Sequence, residues 1–182
     1  MQRDFFEVVE SRRSIRAFLN KEVDEDSLMK ILQAANSAPS AGDLQAYEIV
    51  VVRDSRRREK LASAAFGQGF VARAPLVLVF VADPKRSSRR YGRRGSDLYC
   101  IQDATIGACY AQLAAHALGL GSVWVGAFDD DAVLDVIGAT PDLVPVAMIA
   151  IGHPAENPEK RPRRALHDLV RLEDINYPFK TK

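Results

Sequence analysis

Leu76-Val77-Leu78-Val79-Phe80-Val81 is the most apolar stretch of the chain, and Asp83-Pro84 follows it closely. Because no polar residues alternate with the apolar ones, the stretch predicts a strand that is buried on both faces. It is far shorter than the roughly 18 or more apolar residues that indicate a membrane-spanning helix. We therefore expect an interior strand of a sheet that is covered by helices on both sides.

Helices and strands alternate on either side of this strand. Upstream, the pattern predicts helices over 5–11, from Asp24 or Asp26 to Ala35, and from Asp54 to about Phe66, with a strand over 47–52. Downstream, it predicts a basic loop over 85–95, the longest helix over 98–118 with Gly119 as its C-cap, strands over 122–127 and 144–151, and a helix over 129–137. This order is not strict βαβ. It predicts an α+β fold with a central mixed β-sheet flanked by helices in three layers, and a single domain over 1–182.

Composition and charge narrow the function classes. The chain has 182 residues, of which 47% are hydrophobic and 27% are charged, and this excludes a disordered protein. A formal net charge of +1 gives the whole chain no electrostatic reason to bind nucleic acid or an anionic membrane. The first residues show no basic, apolar and small-residue succession of a signal peptide, so we predict a cytoplasmic protein.

The cysteines and histidines do not suggest a metal or nucleophile site. Cys100 and Cys109 lie nine residues apart in the predicted long helix, so we expect them to be reduced, buried and unable to form a disulfide. His116, His153 and His167 have no metal-ligand spacing with one another or with the cysteines. We expect structural roles for all three histidines, and no metal.

Two polar segments are candidate binding sites. Arg12-Arg13-Ser14-Ile15-Arg16 places three guanidinium groups and a hydroxyl in five residues, which suits an anion such as phosphate but is also found in solvated surface turns. The segment from Ala38 to Tyr47 joins a helix to a strand with small and hydrogen-bonding residues. It suits close approach to a flat polar ligand, or it is an ordinary loop.

Two further segments have alternative interpretations. Gly119-Leu120-Gly121-Ser122-Val123-Trp124-Val125-Gly126 is not a dinucleotide fingerprint, because Trp124 occupies the third glycine position and the segment leads from a helix into a strand. Its backbone amides can contact a ring system, while a lone Trp such as Trp124 is more often a core residue than a site residue. The basic run from Lys85 to Arg94 contains Tyr91 and suggests either an RNA-binding loop or a solvated one.

Taken in chain order, these segments resemble the FMN-dependent nitroreductase family. The most specific part is Arg-Arg-Ser-x-Arg-x-Phe from Arg12 to Phe18, followed by Pro39 to Gln45, and the stretch 119–128 supports both. The resemblance covers nearly the whole chain. It implies a homodimer with FMN at the subunit interface and a C-terminal tail that wraps the partner subunit.

The resemblance also assigns site residues. Those that would bind the phosphate, ribityl chain and pyrimidine edge of FMN are Arg12, Arg13, Ser14 and Arg16, with Arg161 and Arg163 closing on the phosphate. Those that would reach the flavin bound mainly by the partner are Pro39, Ser40, Ala41, Asp43 and Gln45. Those that would pass beside the isoalloxazine ring are Trp124, Val125, Gly126 and Ala127. The sequence departs from the family at Asp43, commonly Asn, at Ala46-Tyr47, commonly Pro-Trp, and at Gly126, where some relatives have Glu.

The activity that the resemblance implies is an oxidoreductase reaction. NADH or NADPH would deliver hydride to flavin N5 and leave, and an electron-poor acceptor such as a nitroaromatic or quinone would then take the electrons, in a ping-pong mechanism. No catalytic side chain is required, since the flavin carries the chemistry. Alternatives are a flavin-binding or storage protein without significant turnover, suggested by Asp43 and Gly126, and an RNA-binding module that uses residues 85–94.

Overall fold

The structure, a computed structural model, describes residues 4–179. The helices are α1 (Phe5–Ser11), α2 (Glu25–Asn36), α3 (Ser55–Ala64), α4 (Phe70–Arg73), α5 (Pro84–Arg94), α6 (Cys100–Ala117), α7 (Asp130–Ile137) and α8 (Leu166–Leu169). The strands are β1 (Tyr47–Val52), β2 (Leu76–Ala82), β3 (Gly121–Val125) and β4 (Val144–Gly152). A 3₁₀ turn covers Ala41–Asp43, and a π-turn, Gly95–Tyr99, joins α5 to α6.

The four strands form one sheet in the order β1-β2-β4-β3, and every pair is antiparallel. The expected mixed sheet is therefore antiparallel among these strands. In the described part of the chain, its parallel component is an isolated bridge between Ser14 and Ser122. Every residue of β2 is buried, which confirms the prediction of an interior strand.

Helices cover both faces of the sheet, as predicted. Successive residues of β2 alternate between two apolar clusters, because side chains of a strand point to opposite faces. Leu76, Leu78 and Phe80 pack with α2 and α6 on one face. Val77, Val79 and Val81 pack with α3 and α7 on the other. The result is the α+β arrangement of a sheet between two helical layers.

Aspartate side chains begin five of the helices. Each accepts a hydrogen bond from the backbone N–H three residues later, which satisfies a donor that the first helical turn leaves unpaired. The N-caps are Asp4, Asp24, Asp54, Asp83 and Asp129. The structure thus selects Asp24 rather than Asp26 for α2.

The basic segment is a helix and not the predicted loop. Asp83 caps α5, Pro84 occupies its first turn, and the chain continues through the π-turn into α6. The buried positions of this segment are small, since Ser87 is fully buried against Gly95. Because large apolar residues do not recur at helical spacing, periodicity did not indicate this helix, although Asp83-Pro84 matches a helix start.

Three smaller expectations are corrected. Cys109 is exposed, although Cys100 is buried as predicted, and both are free. Strand β3 ends at Val125, so Gly126 and Ala127 follow it as exposed backbone. The C-terminal segment is irregular as predicted except for the short α8, and residues 161–178 are all exposed.

Candidate functional site

A cleft of about 570 Å³ collects the arginine segment and part of the tail. It brings together six of the residues proposed from the sequence, although they lie some 150 positions apart in the chain. Its lining residues are Val9, Glu10, Arg12, Arg13, Ser14, Arg16, Pro158, Glu159, Lys160, Arg161 and Arg163. We call this space the arginine cleft.

Strand β3 positions the arginine segment. The Ile15 N–H donates to the Ser122 carbonyl at 3.0 Å, beside the Ser14–Ser122 bridge. The Ile15 side chain is buried against Gly121, where an added Cβ would lie 2.9 Å from Ile15 Cβ. Ile15 therefore anchors the segment to the end of the sheet, while Ser14 and Arg16 line the cleft.

Arg12 is a partly buried cation that makes no ion pair with a carboxylate among residues 4–179. Burial lowers its pKa from the ordinary value, and the neighbouring charges of Arg163 and Arg13 lower it further. Its Nη1 atom is buried and has no hydrogen-bond partner. Among the carboxylates that line the cleft, Glu10 is paired with Lys160 at 3.1 Å. A bound anion would satisfy the Nη1 donor and offset the repulsion between the arginines.

Glu156 connects the C-terminal segment to the arginine segment. Its carboxylate accepts hydrogen bonds from the backbone N–H groups of Arg16 and Ala17, the latter at 3.0 Å. This contact lies just before Pro158, where the chain enters the lining of the cleft. It accounts for how Arg161 and Arg163 come to face Arg12.

Two residues that the sequence analysis missed lie at the other side of Arg16. The Arg16 guanidinium carbon lies 5.8 Å from the ring centre of Phe70. The Gln68 side chain donates to the Ala127 carbonyl at 3.2 Å. The segment Phe66-Gly67-Gln68-Gly69-Phe70, with positive φ at Phe66 and Gly67, thus brings Arg16 and Ala127 into one neighbourhood. In the sequence, a glutamine between two glycines, Gly67-Gln68-Gly69, was the feature that could have indicated these contacts.

A second cleft, of about 470 Å³, lies beside the loop that precedes β1. Its lining residues are Pro39, Ser40, Ala41, Tyr99, Gln102, Asp103, Thr105 and Ile106. We call this space the Pro-Ser cleft. It shares no lining residue with the arginine cleft.

Asp103 holds the loop of the Pro-Ser cleft, and the sequence analysis did not single it out. It is 2% exposed and accepts from the N–H groups of Ala41 at 2.8 Å and Ala46 at 3.4 Å. A carboxylate on the apolar face of α6, between Cys100 and Ala104, was the signal that could have revealed it. Buried acids persist where they bind polar groups.

The remaining predicted loop residues do not all face the Pro-Ser cleft. Ser40 Oγ accepts from the Gln45 N–H at 3.0 Å, and the Gln45 amide nitrogen donates to Asn36. Gln45 lines a separate small cavity with Asn36 and Arg86. Asp43 is exposed with a φ of 57° and lines neither cleft. Gln45 and Asp43 therefore stay predicted contacts to a ligand that a second chain would hold.

The segment after β3 lies outside both clefts as well. Trp124 is partly buried against the core, and Val125 is buried. Gly126 and Ala127 are exposed, and a Cβ on Gly126 would lie 3.2 Å from Trp124 Nε1. The indole and the glycine therefore leave the backbone after β3 uncovered. Contact of this segment with a ring system stays a prediction.

Metal binding has no support in the described residues. Between residues 4 and 179, no three His, Cys, Asp or Glu side chains are placed to hold a metal ion. In the same range, no helix is long and apolar enough to cross a membrane.

Comparison with protein families matches residues 9–70 and 63–153 to the model described as Nitroreductase family. The chain belongs to the nitroreductase family. The two matched ranges contain the arginine segment, the loop of the Pro-Ser cleft and β3. Arg161 and Arg163 lie beyond the matched residues, so their place in the cleft is an observation of this chain.

Individual relatives agree with this nitroreductase assignment. The chain is 33% identical over 154 residues to a "Putative NADH dehydrogenase/NAD(P)H nitroreductase" of Archaeoglobus fulgidus, covering 82% of this chain and 84% of the relative. It is 32% identical over 173 residues to "FMN reductase [NAD(P)H]" of Bacillus subtilis, covering 86% and 70%. The solved structure of "NADPH:FMN oxidoreductase from Vibrio harveyi complexed with NAD+" matches with a TM-score of 0.86 and 30% identity, covering 94% of this chain and 77% of that one.

Proposed function

We propose that the protein is an FMN-dependent oxidoreductase that passes electrons from NADH or NADPH to an electron-poor acceptor such as a nitroaromatic or quinone. The observation that carries this proposal is the buried Nη1 of Arg12, which has no hydrogen-bond partner among residues 4–179 and lies in a cleft with four other arginines. Relatives named as NAD(P)H nitroreductase and FMN reductase support it. The cytoplasmic location predicted from the sequence stays a prediction.

The donor set of the arginine cleft fits the phosphate of FMN. Guanidinium groups bind phosphate oxygens through paired, charge-assisted hydrogen bonds. Arg12, Arg13 and Ser14 would hold the phosphate and ribityl chain, and Arg161 and Arg163 would close on the phosphate. When bound, FMN supplies the reversible uptake of two electrons that no side chain of this protein provides.

The protein's own residues would bind and orient. Arg16 lies between the arginine cleft and the Phe70 ring, which suits a cation that stabilises negative charge on the pyrimidine edge. The backbone at Gly126 and Ala127 is uncovered and is free to donate to a ring nitrogen. No acid or base side chain is assigned, so substrates would be positioned by stacking and exchanged in turn at one face.

We infer that the site is completed by a second copy of the chain. The two clefts share no lining residue, so a single chain offers two half-sites. Large apolar side chains are exposed on α1 and on the tail: Phe5, Phe6, Val9, Leu166, Leu169, Leu172, Ile175 and Tyr177. Burying them in a homodimer explains why a tail exposed along its length keeps apolar residues, and why it would wrap the partner.

Anaerobic mixing with NADH and NADPH tests the enzyme function. The flavin absorbance should bleach with at least one reductant and return when a quinone or nitroaromatic is added. If the flavin is bleached but its absorbance does not return when the quinone or nitroaromatic is added, the proposed class of acceptor is wrong. A yellow protein that neither reductant bleaches would instead be the flavin-binding or storage protein that Asp43 and Gly126 suggest.

The RNA-binding alternative has less support. Several cations of α5 are already paired, since Lys85 binds Asp142 at 2.8 Å and Arg93 binds Asp97 at 3.0 Å. A nucleic-acid surface needs cations that are free to replace counterions at phosphates. This alternative predicts a colourless protein with salt-sensitive RNA affinity.

A further inference from the structure

Helix α5 carries exposed arginines without a role in the proposed function, and two of them, Arg90 and Arg94, lie against tyrosine rings. Arg90 and Arg94 make no ion pair with any carboxylate among residues 4–179, whereas Lys85 and Arg93 on the same helix do. Both free arginines are exposed. Positive charges that have no counter-charge and lie on an ordered helix attract anionic ligands.

Tyrosine rings hold both guanidinium groups in place. The rings of Tyr91 and Tyr99 meet edge to face at 5.2 Å. The Arg90 guanidinium lies 5.4 Å from the Tyr91 ring centre, and that of Arg94 lies 5.4 Å from the Tyr99 ring centre. We call these four residues the Arg-Tyr unit. Stacking orders a guanidinium while leaving donors at its edge available.

Hydrogen bonds fix the unit further without using all of its donors. Arg94 Nε donates to the Tyr99 hydroxyl at 3.0 Å, and Arg90 Nη1 donates to the Gly42 carbonyl at 3.1 Å. Both Nη groups of Arg94 and the Nη2 of Arg90 have no partner in the described part of the chain. These donors are therefore available to an anion.

The unit lies at the rim of the Pro-Ser cleft. Tyr99 lines that cleft, and Arg90 binds the loop that forms its wall. Gly42 has a φ of 58°, and an added Cβ would lie 2.3 Å from the Tyr91 hydroxyl. The loop therefore needs glycine at this position for the unit to lie against it. The two arginines therefore border the cleft through their contacts with Gly42 and Tyr99.

We propose that the Arg-Tyr unit binds the phosphate groups of the nicotinamide dinucleotide reductant. The proposal rests on the proposed function and adds to it that the Pro-Ser cleft, completed by the flavin that the partner chain holds, receives the nicotinamide. The remainder of the dinucleotide then extends towards the rim, where its phosphates meet Arg90 and Arg94. The unit acts on affinity for the reductant and has no part in the transfer itself.

The test compares the wild type with an Arg90→Gln/Arg94→Gln double variant of the full chain. Three reductants are used: NADPH, NADH and 1-benzyl-1,4-dihydronicotinamide, which has no phosphate. Because charge-assisted hydrogen bonds to phosphate are lost, the ratio of kcat/KM for NADPH to kcat/KM for the phosphate-free reductant should fall about tenfold or more. An equal fall for NADH assigns the unit to the pyrophosphate, and a fall confined to NADPH assigns it to the 2′-phosphate.

Calorimetry of NADP+ with the protein as purified supplies a readout that does not require turnover. The double variant should bind NADP+ about tenfold or more weakly, with a shallower salt dependence. The matched control is Lys85→Gln/Arg93→Gln, which removes two charges from the same helix that are already paired, and should change NADP+ affinity less than threefold.

The outcomes separate this proposal from the proposed function. If the wild type is reduced by all three reductants and the double variant shows the same kcat/KM ratio and NADP+ affinity, the Arg-Tyr proposal is overturned while the enzyme function stands. If no reductant bleaches the protein but NADP+ binding weakens in the double variant alone, the enzyme function fails and the phosphate site stands. If the control variant loses as much NADP+ affinity as the double variant, the effect comes from the overall charge of the helix, and the proposed site is wrong.

Discussion

At the scale of single residues, Arg12 has the most unfavourable surroundings in the arginine cleft. It is partly buried, it faces Arg163 and Arg13, and its Nη1 has no hydrogen-bond partner. Such an arrangement costs stability in the free protein and gains interaction energy when an anion binds. Such a loss of stability in favour of ligand binding is common at preorganised binding sites.

The Arg12→Gln variant tests that trade. FMN affinity should fall by about 10- to 150-fold, the range for losing a hydrogen bond to a charged group, while the flavin-free protein melts at the same or a higher temperature because the repulsion is removed. Flavin fluorescence titration and thermal melting measure the two quantities. Arg56→Gln, exposed on α3, is the matched control. A flavin-free variant that melts well below the wild type would contradict the prediction.

Asp103 offers a second test at this scale. Asp103→Ala removes the acceptor for the Ala41 and Ala46 N–H groups, so the free energy of unfolding should fall by about 1–3 kcal/mol. Asp103→Asn keeps one acceptor oxygen and should lower the free energy of unfolding by less. Urea denaturation measures the loss, and protease cleavage between residues 40 and 46 reports loop opening. Equal stability of all three proteins would show that the carboxylate is not needed for the loop.

At the scale of elements, α5 is tied to the loop before β4 by Lys85 and Asp142. Hydrogen bonds from Lys85 and then Thr140 lower the Asp142 pKa from 3.8 to about 2. A carboxyl group with a lowered pKa contributes stability above the unfolded value, and this contribution is lost as the pH falls through the folded value. Between about pH 4 and 2 the wild type should lose more unfolding free energy than Asp142→Asn. Urea titrations across that pH range measure the free energy of unfolding of both proteins. The same dependence on pH in the two proteins would contradict this prediction.

Most elements were predictable because their apolar residues recur at the period of a helix or strand. β2 is the clearest case, and the aspartate N-caps add independent signals. Helix α5 was missed because its buried residue is the small Ser87, packed against Gly95 of the π-turn, and the helix is stabilised by a cap and ion pairs instead. Periodicity reports only elements that bury large apolar side chains.

The site was predictable to a similar degree. The arginine segment could be recognised because the donors are adjacent in sequence. The structure places Arg161 and Arg163 in the same cleft, and their contact with a phosphate stays a prediction. Gln68 and Phe70 were missed because their approach to Ala127 and Arg16 depends on tertiary packing. Tertiary packing also explains Gly107 on α6, which lies against the Tyr47 ring, 3.0 Å from where a Cβ would lie.

At the scale of the whole molecule, the proposed FMN site requires a homodimer. Phe6 is 80% exposed and Ile175 is 78% exposed, which a stable monomer has no reason to retain. The Phe6→Ser/Ile175→Ser variant should raise the dimer dissociation constant by about tenfold or more per side chain, given about 1.5–3 kcal/mol for burying each. Sedimentation velocity over a concentration series measures this.

The matched control for the dimer is Met29→Ser on α2, an exposed apolar residue away from the tail and α1. It should leave the dissociation constant unchanged. FMN should be lost from the Phe6→Ser/Ile175→Ser protein as it dissociates, because each flavin would need both clefts. A monomer that keeps its flavin would show that one chain suffices.

The FMN content of the purified protein, beside that of the Arg12→Ala/Arg16→Ala variant, tests the central claim most directly. Visible absorption and extraction should find FMN in nearly every wild-type chain, while the double variant is folded and colourless because its phosphate and ring contacts are removed. A wild type that stays colourless when FMN is supplied, or a double variant with full FMN occupancy, would contradict the assignment of the arginine cleft.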